Sequence, residues 1–205
     1  MQTGLKRSSM QERSAPDRCD INGDRKMDRK FATIDLVYMA IGAVLIAVCS
    51  WITIPTVVPF TLQTFAVFCI LGLIGGKRGT ISVAVYILLG ALGVPVFAGF
   101  KGGFGVILGS TGGYIVGFIF MGLLYWLAEK LFGTGLLVRI IAMVVGLIVC
   151  YAFGTAWFIV VYSKGTGPVG IGTALAWCVI PFIIPDLIKM ALAILITSRV
   201  RRYIR

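Results

Sequence analysis

Histidine is absent from all 205 residues. That removes the commonest general base and the commonest ligand of transition metals. Charge is scarce too: only 13% of the residues are Asp, Glu, Lys or Arg, about half the share found in soluble domains. The five cysteines, Cys19, Cys49, Cys69, Cys150 and Cys178, are odd in number, widely spaced and never in a C-x-x-C pair. They predict neither a disulfide framework nor a metal cluster. No G-x-S-x-G elbow and no H-E-x-x-H occurs, so the hydrolase motifs are missing. The nearest approach to a phosphate loop, Gly72-Leu-Ile-Gly-Gly-Lys77-Arg78, lacks the G-x4-G-K spacing and the Ser or Thr after Lys. These absences predict no enzyme, no catalytic residue, no metal and no cofactor bound by this chain.

What is present is oil. Hydrophobic residues make up 59% of the chain, which predicts an all-α integral membrane protein whose first partner is the lipid bilayer. The 19 Lys plus Arg outnumber the 8 Asp plus Glu. The excess sits in a tail and in short loops, so it reads as a topology signal and not as a nucleic-acid surface.

Met1 to Lys30 holds eight basic and five acidic residues with almost no apolar periodicity, and residues 1–32 are predicted to be a disordered polar tail. The basic cluster Arg25, Lys26, Arg29 and Lys30 holds that end in the cytoplasm. No charge appears in the 41 residues from Leu36 to Gly76, enough for two helices across a core of about 30 Å. Pro55 and Pro59 mark the break between them. The spans fall at about 34–52, 61–76, 79–93, 110–128, 140–162 and 171–197, within a domain of 33–200, and 201–205 is a basic end. Six spans put Lys77, Arg78, Lys130, Arg139 and the C-terminal arginines on one face, with only Lys101 and Lys164 on the other. Both termini are then cytoplasmic, in the cell membrane.

Between spans three and four lies Gly93-Val-Pro-Val-Phe-Ala-Gly-Phe-Lys-Gly-Gly-Phe-Gly105, too apolar for a water-swept loop and too rich in Gly for regular helix. Such backbone is tolerated at membrane depth where protein covers it or it lines a cavity, so it reads as a loop folded over or into the bundle. Gly109, Gly113 and Gly117, at steps of four, suit close packing of two helices.

The anomaly is in span six. Asp186 and Lys189 stand three apart inside an apolar run, on nearly one helix face. An ion at the centre of a spanning helix costs roughly 2.5–3.5 kcal/mol, so the pair faces either a polar cavity or a packing partner. Pro181 and Pro185 free carbonyls one turn earlier and favour a bend. The residues read as the floor of a site entered from outside, for a small polar ligand carrying both N–H and C=O. Gln63, Tyr114 and Lys101 add polar contacts, although packing or anchoring also explains the first two.

Val58-Pro-Phe-Thr-Leu-Gln-Thr64, Lys77-Arg-Gly79, Gly93-Val-Pro-Val-Phe-Ala-Gly99, Gly102-Gly103, Gly109-Ser-Thr-Gly-Gly-Tyr114 and Pro185-Asp-Leu-Ile-Lys189 together resemble the BioY family, over about residues 33–198. These are the biotin-specific S components of energy-coupling-factor (ECF) vitamin transporters. The resemblance implies an S-component-like six-helix bundle that captures biotin from outside. It also implies assembly with a transmembrane coupling subunit and two ATP-binding subunits. Asp186 and Lys189 match the family's ligand-binding acid and base. Lys101 stands where some relatives carry an Asn that contacts ligand, and a lysine there suits the valerate carboxylate instead. Ala40, Ala43 and Ala47 on span one match the small-residue surface that contacts the coupling subunit, with packing inside the chain as the alternative. Other readings are an S component for another water-soluble vitamin and a membrane assembly partner that transports nothing.

Overall fold

The computed structural model describes residues 33–56, 58–167 and 169–204. The expected disordered tail, its basic cluster and Cys19 lie outside the described residues. The helices in chain order are α1 (Thr33–Trp51), α2 (Gln63–Ile74), α3 (Gly76–Ala91), α4 (Phe104–Leu108), α5 (Gly112–Phe132), α6 (Leu136–Thr166), α7 (Ile171–Cys178) and α8 (Ile180–Ile204). A hairpin of β1 (Thr53–Ile54) and β2 (Phe60–Thr61) joins α1 to α2, pairing antiparallel with Thr53 opposite Thr61 and Ile54 opposite Phe60.

The hairpin departs from the all-α expectation, and the prolines explain it. Ile54 and Val58 each precede a proline, whose ring disfavours helical backbone in the residue before it. The chain therefore stays extended, and the Thr56 hydroxyl donates to the Val58 carbonyl to close the loop.

Among the described residues, four segments are long and apolar enough to cross a membrane: Thr33–Trp51, Gly112–Phe132, Leu136–Gly165 and Ile171–Arg202. Large apolar side chains such as Val44, Ile148 and Leu195 point outward from them, as lipid-facing surface does. The 12 residues of α2 and 16 of α3 reach only about 18 and 24 Å at 1.5 Å per residue. Both are shorter than a bilayer core of about 30 Å. Their junction at Gly75 forms one end of the bundle. At the other end they stop short, and the hairpin and the 93–103 loop fill in above them.

Core packing joins α5 to α6, α2 to α8, and α1 to α3. Glycines set the distance between α5 and α6. A Cβ on Gly113 would lie 2.3 Å from Cβ of Trp157, and one on Gly117 would lie 2.8 Å from Sγ of Cys150. Trp157 Nε1 then donates to the Gly109 carbonyl at 3.0 Å. The glycine-rich connection does fold into the bundle: Phe97 is 1% exposed. Its ring lies so close to Gly90 that a Cβ there would sit 2.1 Å from Cζ. Ser50 and Trp51 of α1 donate to the carbonyls of Val96 (2.5 Å) and Pro95 (2.9 Å). One unexpected helix, α4, begins at the end of that stretch.

Several boundaries shift: α3 starts at Gly76, α5 ends at Phe132 and α6 at Thr166, each three or four residues outside its expected span. α6 begins at Leu136, four residues before the expected start, because Gly135 and not Arg139 breaks the chain. Span six is two helices, interrupted at Val179 (φ −123°, ψ −56°), just ahead of Pro181. Pro185 lies inside α8. The basic end after residue 200 is helical as far as Ile204.

Candidate ligand-binding site

A cavity of about 630 Å³ opens between the hairpin, the 93–103 loop, α4, α5 and α8. Thr53, Thr56, Thr61, Thr64, Ser110 and Thr111 give its wall hydroxyl groups, while Pro55, Val58, Phe97, Ile115, Phe118 and Phe182 give it apolar area. That mixture suits a small amphiphile, held by a few placed polar groups in an apolar enclosure.

Lys189 lies on the wall and is 6% exposed. Its Nζ donates to Oδ1 of Asp186 at 2.8 Å and to the Thr61 carbonyl at 2.7 Å, and sits 4.1 Å from the centroid of the Phe60 ring. The hairpin makes the last two contacts possible, since it turns Phe60 and the Thr61 carbonyl toward α8. Phe60 in turn stacks on Phe182 with centroids 5.8 Å apart. An ammonium has three donors, and the two hydrogen bonds leave one for a ligand.

Asp186 is 3% exposed and lies behind Lys189, not on the cavity wall. Tyr151 of α6 donates to its Oδ2 at 2.5 Å. Both carboxylate oxygens are thus engaged, one by a charge and one by a hydroxyl, and the desolvated pair is matched group for group.

Three other expected residues gather at the same cavity. Gln63, at the start of α2, donates from Nε2 to the Tyr86 hydroxyl at 3.1 Å, which donates on to the Val96 carbonyl at 3.2 Å. Tyr114 shares a hydrogen bond with Thr155 of α6 at 2.9 Å. Lys101 is exposed at the rim, its backbone carbonyl accepting from Phe97 N–H at 2.9 Å. Its ammonium has no partner among the described residues. Cations therefore stand at rim and wall, and among the described residues no carboxylate lines the cavity.

The alanines of α1 separate. Ala43 and Ala47 are 3% and 6% exposed and belong to the chain's own core, as the alternative of packing inside the chain requires. The i,i+4 spacing faces them inward because α1 packs on both α2 and α3. Ala40 alone of the three lies on the outer face, beside Val44.

Sequence reading missed Tyr151, Thr155 and Phe60. The first two carried a signal: two hydroxyls four residues apart in the apolar run of α6 lie on one helix face.

The model of the BioY family matches residues 24–205. The chain belongs to the BioY family. Its match to that family is wider at both ends than the quoted motifs. A biotin transporter BioY of Thermotoga maritima is 42% identical over 172 residues, covering 82% of this chain and 95% of the relative. A probable biotin transporter BioY of Pyrococcus horikoshii is 41% identical over 145 residues, covering 70% and 81%. The crystal structure of the S-component for biotin from an ECF-type ABC transporter superposes with a TM-score of 0.73 at 29% identity, covering 86% of this chain and 95% of that one. The BioY fold is therefore present nearly whole.

Proposed function

We propose that this BioY protein captures biotin in the 630 Å³ cavity and delivers it for ATP-driven uptake, as the S component of an ECF-type transporter. The observation that carries the reading is Lys189, an ammonium with one unused donor on the wall of a mostly apolar enclosure. Biotin's ureido carbonyl supplies the acceptor, its fused rings the apolar body, and its valerate carboxylate the charge that Lys101 meets at the rim. Gln63 and Tyr114 complete the polar wall. Cationic thiamine suits this cavity poorly, because both cations that line it would repel the ligand.

Six crossings, formed by α1, α2, α3, α5, α6 and α7–α8 together within residues 33–200, carry both termini on the cytoplasmic side of the cell membrane. The cavity then opens outward. The partners are a transmembrane coupling subunit and two ATP-binding subunits. Of the α1 alanines, Ala40 is the one offered to the coupling subunit.

Titration of the purified protein with biotin and with biotin methyl ester tests the ligand and the rim contact together. Wild type is expected to bind biotin at one site. Lys101→Ala is expected to weaken biotin by about two- to fivefold, the range of an exposed ion pair, and to leave the ester unchanged. Equal losses for both ligands would take Lys101 off the carboxylate, and no biotin binding by wild type would sink the reading.

A further inference from the structure

We infer that Tyr151 is a positioning residue of the ligand site, acting through Asp186 to aim the Lys189 ammonium at the ligand's carbonyl oxygen. The inference rests on the biotin reading above and adds to it a residue that touches no ligand.

The geometry is a chain of three side chains from two helices. Tyr151 on α6 donates to Oδ2 of Asp186 at 2.5 Å, and Oδ1 of the same carboxylate accepts from Lys189 at 2.8 Å. Fixing one carboxylate oxygen fixes the plane of the other, and so fixes where the ammonium sits. The Thr61 carbonyl holds Lys189 from the hairpin side at 2.7 Å, which leaves the third N–H a single direction.

What commits Tyr151 to this task is the surface on its other side. Its ring lines an apolar groove of about 560 Å³ between α6 and α7–α8, walled by aliphatic side chains such as Leu147, Leu175, Ile183 and Leu187. The one other hydroxyl among the described residues that line the groove, Thr155, is already bonded to Tyr114 at 2.9 Å, and an unpaired hydroxyl in apolar surroundings is disfavoured. Asp186 is the polar destination within reach. α8 makes few direct contacts with α6, whereas it packs closely on α2. The Tyr151–Asp186 bond is thus a polar tie across a loosely packed seam, placed where the ligand site needs rigidity.

Removing the hydroxyl lets the carboxylate turn, and the ammonium turns with it. The loss should fall on the interaction with the carbonyl oxygen and not on the apolar enclosure. That separates positioning from packing. Biotin offers Lys189 the ureido oxygen, whereas its 2-imino analogue, a cyclic guanidine protonated near neutral pH, offers a cation and no acceptor at that place.

The test measures both dissociation constants for the full chain in detergent, as wild type, Tyr151→Phe, Asp186→Asn and the double variant. Tyr151→Phe is expected to weaken biotin about tenfold, the worth of one hydrogen bond to an ion, and to shrink the preference for biotin over the imino analogue. In the Asp186→Asn background the same change should have little further effect, because residues acting as one unit are not additive. Unchanged biotin affinity in Tyr151→Phe overturns the inference. So do equal losses for both ligands, or losses that add to those of Asp186→Asn, since either makes Tyr151 a packing residue. Wild type that binds no biotin overturns the biotin reading and this inference together, whereas wild-type binding with an unaffected Tyr151→Phe overturns the positioning role alone.

Discussion

At the scale of single residues, the charges of Asp186 and Lys189 are held by each other and by Tyr151 and Thr61. Removing one member leaves an uncompensated buried ion, which costs about 3–5 kcal/mol. Replacing both with apolar residues removes the problem, leaving only the Tyr151 hydroxyl and one loose carbonyl. Asp186→Leu and Lys189→Leu singly are therefore expected to lower the melting temperature in detergent more than the double replacement does. A double variant less stable than either single one would contradict this view of the pair. The two residues were legible in the sequence because charge is so rare in an apolar run. That Lys189 alone reaches the cavity wall was not, since spacing on one helix cannot say which of two neighbours stands in front.

Among the elements, the 93–103 loop supplies the cavity wall with Phe97, Ala98, Gly99 and Lys101, and a lid role for it can be tested. Phe97 enters the bundle only because Gly90 has no Cβ, and its ring meets Tyr86 edge-on at 5.5 Å. Gly90→Ala should push Phe97 out and loosen the loop, so that bound biotin dissociates about tenfold faster, an effect of the kind that loop and interface changes place mainly in the off-rate. Stopped-flow displacement checks it, and an unchanged off-rate would contradict the lid role. The loop's place was legible from its mix of apolar residues and glycine. α4 was not, because glycine density hides a helix of one turn. The hairpin escaped for a related reason: two residues per strand are too few for alternation to register, and only the prolines hinted at extended chain. The interruption at Val179 lay close to the bend expected from Pro181. Val179 stands two residues before Pro181, which becomes the second residue of α8, in the first turn, where a proline's missing N–H costs no helical bond.

For the whole molecule, the charged groups collect at the end where α2 meets α3. Arg78 pairs with Asp35 at 2.8 Å, Arg201 approaches Glu129 at 3.9 Å, and Gly76 N–H donates to that carboxylate at 2.6 Å. The starts of α1 and α3 and the ends of α5 and α8 therefore share a face, which supports the cytoplasmic assignment of both termini. Reagents confined to the outside should fail to label tags at either end of the chain in intact cells, and labelling of one end alone would refute six crossings. On the outer face of α1 the small side chain proposed to meet the coupling subunit is Ala40. Ala40→Trp is expected to abolish uptake by the assembled transporter while biotin binding persists. Ala43→Trp, aimed into the core, is expected to remove both. The exchange of those two outcomes would restore Ala43 to the partner surface.

The most direct measurement is calorimetric titration of biotin into the purified protein, wild type beside the Asp186→Leu/Lys189→Leu double variant. With the fold of both checked by melting temperature, wild type should saturate at one biotin per chain and the folded double variant should give no binding heat. Equal binding by the two would contradict the assignment of this cavity's buried amine to biotin.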